Sequence, residues 1–156
     1  MVRIFGLCNL FLFSSLFGFL PIGEDGKELN PEDYMDSERF ERYQIAVTRM
    51  DSFQAFSRLN SLSNIELFQE LCLAYYYLGW VSDAFEKGLD CSLFWDGKVE
   101  FEISNDDVPL VYFVLFATLF YLEKEYASRS NCVLSLSQIR EYASEHLERQ
   151  KSLVSC

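Results

Sequence analysis

Histidine is nearly absent from this chain: one, His146, among 156 residues. A thiol or hydroxyl nucleophile needs a base beside it, so any such reaction would rest on that single ring. His146 reads better as a structural residue near the inner edge of the last helix. No two cysteines form a C-x-x-C unit, which leaves zinc without its usual spacing. The G-x-S-x-G, H-E-x-x-H, P-loop and dinucleotide fingerprints are missing as well. No carboxylate pair stands out from the acidic background as a glycosidase pair would. The sequence therefore offers no catalytic residue, no metal ligands and no cofactor site, and enzyme is the weakest functional class. Basic residues are scarce too: 13 Lys or Arg face 24 Asp or Glu, a net charge of −11. That balance repels phosphate backbones and anionic lipid, which argues against nucleic acid and peripheral membrane binding and favours a basic protein surface as partner.

What the chain does have is a long apolar N-terminal run. Arg3 is the only charge before Glu24, and Phe5, Leu7, Leu10, Phe11, Leu12, Phe13, Leu16, Phe17, Phe19 and Leu20 fill the stretch between. A short basic region followed by such a run is the pattern of a signal peptide, and Gly18, Pro21 and Gly23 crowd its end as a cleavage zone would. Residues 1–23 are expected to be a signal peptide cleaved near Gly18 to Gly23, with an uncleaved membrane anchor or a buried core segment as the alternatives. The remaining 133 residues hold 12 Lys or Arg against 24 Asp or Glu, a net of −12, and form one domain, 24–156. Four cysteines remain there, Cys72, Cys91, Cys132 and Cys156, and export would let them oxidise in any of three pairings.

Helix signals organise this domain. Asn30 before Pro31, Glu32 and Asp33 joins an N-cap to a first-turn proline and acids at the positive end of the dipole. Phe40, Tyr43, Val47 and Met50 then make one apolar stripe. Ser63 with Glu66, and Ser135 with Gln138, have capping-box spacing. Gly79 reads as a left-handed C-cap, and Ser82 as the cap of a further helix. Val108 to Leu122 carries no charge and reads as the central buried helix, while Leu136, Ile139, Ala143 and Leu147 form the stripe of the last one. The expected fold is all-α, a compact single-domain bundle of about five helices over 31–50, 64–78, 83–94, 107–125 and 136–151, with a short extended loop near 96–104.

Two tracts are candidates for binding. "YYYLGW", Tyr75 to Trp80, could form an aromatic face, although successive helical positions must send some of these rings into the core. "LFWDGKVEFE" sets a large aromatic beside a turn and a row of acids, as a recognition loop would; Phe94, Trp95, Asp96, Lys98, Glu100 and Glu102 are its candidate partner-binding residues.

The order and spacing of "ELCLAYYYLG" (70–79), "FWD" (94–96), "YLEKEYASRS" (121–130) and "LSLSQIREYASEHL" (134–147) resemble a helical family. It is that of the periplasmic immunity proteins that block the family-four peptidoglycan amidases delivered by type VI secretion, over roughly residues 65–150. The resemblance implies a small all-helical homodimer with no activity of its own, which occludes the active-site groove of a cell-wall amidase effector. The family pattern has one cysteine in its second helix and another in its last; here Cys72 stands near the first and Gln138 at the second. The alternative from another class is a secreted or membrane-anchored helical adaptor or effector with a different protein partner. In either case the membrane is met only through residues 1–23, if these are left uncleaved.

Overall fold

The computed structural model describes residues 20–50, 58–88 and 103–154, and these are all-α. Besides a helical stretch at 58–61, the described residues form α1 (Ser37–Met50), α2 (Asn64–Lys87), α3 (Val108–Ser128) and α4 (Leu136–Val154). Two single 3-10 turns, Pro31–Asp33 and Asn105–Asp107, precede α1 and α3.

The expected cap at Asn30 forms, its Oδ1 accepting from the Glu32 N–H at 3.2 Å, but it starts one turn rather than a helix. The backbone breaks at Tyr34 to Asp36, and α1 begins afresh where Asp36 accepts from the Arg39 N–H at 2.8 Å. At the break the Tyr34 ring, still partly exposed, lies against Phe85 and Phe113, with centroids 4.9 and 6.2 Å away.

The two capping boxes form as expected. Ser63 Oγ accepts from the Glu66 N–H and Glu66 returns to the Ser63 N–H; Ser135 and Gln138 do the same at the start of α4. The expected break after Leu78 does not occur. α2 runs unbroken through Gly79 and through Ser82, whose hydroxyl lies 3.5 Å from Glu86 of the following turn. The left-handed cap is Gly88, at φ 64°, a conformation that costs a side-chain-bearing residue about 1–2 kcal/mol. Gly79 has another role, since a Cβ there would stand 2.5 Å from Leu147 Cδ2: the missing side chain lets α4 lie close on α2.

α3 is the most buried element. It packs against α2 on one side and α1 on the other, burying Phe113, Leu115, Ala117, Leu119 and Leu122. By length and composition alone it could cross a membrane, but just over half of that stretch is buried inside the protein, as the central core helix requires. α4 covers α2 through Ile139, Ala143 and Leu147, all buried. Phe85 stacks flat on Tyr112 at 4.6 Å, and Phe113 meets both rings edge-on, closing the end where α2 meets the start of α3.

Candidate interaction surface

Most polar clusters on this protein are ties between helices. Tyr75, on α2, donates its phenol proton to Glu123 of α3, and Arg140 of α4 reaches both, at 3.1 Å to the Tyr75 oxygen and 2.6 Å to Glu123. Burial, then the bond to Glu123, pushes the Tyr75 phenol well above its ordinary pKa. Asp83 binds Lys87 on its own helix and Lys151 of α4, and Arg39 of α1 binds Asp107 at 3.0 Å. The aromatic tract 75–80 is absorbed by the same packing: Tyr76 is buried and the others are half-buried. His146 packs its ring against Tyr76, 5.1 Å between centroids. Among the described residues no group of three or more His, Cys, Asp or Glu is placed to hold a metal ion.

The turn between α3 and α4 differs, because it is fixed firmly and yet presents apolar side chains outward. Tyr126 donates its hydroxyl proton to the Leu134 carbonyl at 2.6 Å, and the Cys132 thiol lies 3.9 Å from the Tyr126 carbonyl. Arg129 locks the turn to the chain before α2. Its guanidinium reaches the Leu59 and Leu62 carbonyls at 3.0 and 2.6 Å, Asn64 at 3.1 Å and Glu125 at 3.0 Å. With the backbone so held, Val133 stands outward. It is 97% exposed, and Ile65 across from it on α2 is 71% exposed.

These two residues border a pocket of about 220 Å³, whose walls are Ile65, Phe68, Tyr126, Cys132, Val133 and Leu134, with Asn64 and Asn131 as polar edges. Tyr142 of α4, more than half exposed, extends the apolar surface through its contact with Phe68, 6.3 Å between rings. Single exposed apolar residues are ordinary; here several stand together around one hollow. The hollow is smaller than the roughly 300–1,000 Å³ of small-molecule sites. Two thiols lie near it, Cys132 in its wall and Cys72 one turn beyond Phe68; both are half-buried and neither is in a disulfide, and burial raises the pKa of Cys72.

The loop residues Phe94, Trp95, Asp96, Lys98, Glu100 and Glu102 lie outside the described residues, as do Cys91, Cys156 and positions 1–19. Of the expected cleavage zone, Leu20 packs on the core, and Pro21 is buried in a turn closed by the Leu29 N–H on the Pro21 carbonyl at 2.7 Å. The surface around Val133 was not among the expected sites. Its signal in the sequence was an apolar pair, Val133-Leu134, in a turn between two helices, where polar residues are the rule.

The fold is all-α, with an apolar hollow between the start of α2 and the α3–α4 turn. No family model, no curated protein and no solved structure matches the chain.

Proposed function

We propose that the protein acts by binding another protein, with the hollow between the start of α2 and the α3–α4 turn as the contact surface. The observation that supports this reading is the exposure of Val133 and Ile65 on a turn held by Arg129 and Tyr126. A preformed backbone lowers the ordering cost of association, so apolar area placed there contributes more fully to affinity.

In its most specific form this is an exported inhibitor of a cell-wall amidase, which rests on the resemblance and on the signal-like residues 1–23. The residues at the heart of that resemblance have structural tasks here. Tyr126 and Arg129 close the turn, Ser135 caps α4, and Tyr75 ties α2 to α3. Of these, Tyr126 also lines the hollow.

The test is capture of partners from a cell-envelope extract by the tagged chain and by its Val133→Asp and Ile65→Asp variants, each checked by circular dichroism. A partner held by the wild type and released by both folded variants supports the reading. Capture that both variants leave unchanged overturns it. Loss of peptidoglycan hydrolysis by the captured partner when the wild-type chain is added would establish the amidase-inhibitor form.

A further inference from the structure

Two cysteines from distant parts of the chain converge on one corner of the fold. On α2, Ile65, Phe68 and Cys72 recur at three and four residues and lie within about 60° of one another around the helix. The first two share the walls of the hollow with Cys132, and Cys72 is the next residue of that stripe. Both thiols pack on the core. Tyr126 links them: the Cys132 Sγ lies 3.9 Å from its carbonyl, and burial, the Cys132 thiol and then the Cys72 thiol push its phenol above the ordinary pKa.

Chain length keeps the other cysteines away from this corner. Cys72 lies sixteen residues before the Gly88 cap, about 24 Å of helix. Cys91, three residues past Gly88, reaches back at most about 11 Å, which leaves about 13 Å where a disulfide allows about 7 Å between Cα atoms. Cys132 borders the start of α2 and is further still from Cys91. α4 runs beside α2 in the same direction, since Arg140 meets Tyr75 and Lys151 meets Asp83. Val154 is about 27 Å along it from Leu136, and Cys156 is only two residues beyond, so the last helix holds Cys156 off in the same way.

We propose that Cys72 and Cys132 are an oxidisable pair whose disulfide ties the α3–α4 turn covalently to α2. Of the three pairings open to the four cysteines of 24–156, only the one that joins these two fits the fold. The oxidant is a disulfide donor of the glutathione class. Cys132, in the wall of the open hollow, meets it first: its thiolate attacks the donor, forms a mixed disulfide and expels one donor thiol. The Cys72 thiolate then attacks the Cys132 sulfur and expels the second. Two protein thiols lose two electrons to the donor disulfide, and their protons go to the two expelled thiolates. The closed pair fixes the wall beside Val133, whether or not the hollow binds a partner.

The test uses the full chain, purified in reductant and then incubated with oxidised glutathione. Trypsin places each cysteine on its own peptide, so mass spectrometry of the unreduced digest reads the pairing directly. The expected product is a monomer in which the Cys72 and Cys132 peptides are joined, with a melting temperature on the order of 10 °C above that of the reduced chain. Cys72→Ala and Cys132→Ala should each abolish the link and the gain. Linkage of either residue to Cys91 or Cys156, a disulfide-bonded dimer through either, stable glutathione adducts on both, or two thiols still free after oxidation would overturn the inference. The digest of the wild-type chain decides between these outcomes even where a variant fails to fold.

Discussion

Leu147 occupies the space that a side chain on Gly79 would need, its Cδ2 2.5 Å from where the Cβ would stand. The helix gains about 1 kcal/mol of intrinsic propensity from Gly79→Ala. Displacing a packed leucine costs about 1–3 kcal/mol, so the variant should be less stable by up to about 2 kcal/mol, with α4 loosened on α2. Gly88→Ala should lose about 1–2 kcal/mol for the opposite reason, since nothing lies within 4 Å of its Cβ position and the cost is the left-handed backbone alone. Urea unfolding measures both, and Leu147→Ala should remove the penalty at Gly79 while leaving that at Gly88.

Arg129 is expected to be the most sensitive polar residue of the turn. Arg129→Met strands the Leu59 and Leu62 carbonyls and the Glu125 carboxylate, which should cost roughly 2–4 kcal/mol, whereas Arg129→Lys keeps the charge without the fork and should fall between. Hydrogen exchange should quicken at 58–62 and at 129–135 in the Met variant. Stability within about 0.5 kcal/mol of wild type would show that the latch is a surface contact only.

The pH dependence follows from two carboxylates. For Asp83, burial pushes the pKa up, but bonds from Lys151 and Lys87 outweigh it and hold the group below its ordinary value. Asp107 behaves alike, with Ser104, Arg39 and Arg42 overcoming burial. A depressed folded-state pKa stabilises above the unfolded value, near 3.9, and that stability is lost as pH falls through the folded value. Melting temperature should therefore drop below about pH 4, and Asp83→Asn with Asp107→Asn should flatten the acid limb. At the other limit, Tyr75 has a raised folded pKa, so its contribution is complete below about pH 10 and lost above it; Tyr75→Phe should soften the alkaline limb.

If export removes an N-terminal segment, the folded turn limits where the cut can fall. Leu20 packs on the core and Pro21 is buried, so the mature chain should begin at or before Leu20 rather than at Glu24. N-terminal sequencing of the exported protein reads this directly. A first residue at Glu24 would mean that the turn at 20–29 is dispensable.

Local chemistry was legible in the sequence and distant contacts were not. Ser63 with Glu66 and Ser135 with Gln138 act within four residues, and the fifteen uncharged residues from Val108 could only be covered by the rest of the fold. Gly79 was misread as a cap because the reason for it, Leu147, lies far along the chain. The first helix start is displaced to Asp36, which caps α1, while Tyr34 before it meets Phe85 and Phe113, contacts that no local pattern shows. The hollow escaped notice for the same reason. Ile65 sits in the first turn of one helix and Val133 in the loop before another, and contacts distant in sequence, the Arg129 latch among them, bring them together.

The most direct test of the central claim is hydrogen exchange on the chain with its captured partner bound. Amides at 64–68 and 130–135 should slow strongly on binding, and those of α1 should not change. Protection confined to other segments, with 64–68 and 130–135 exchanging as in the free chain, would contradict the account.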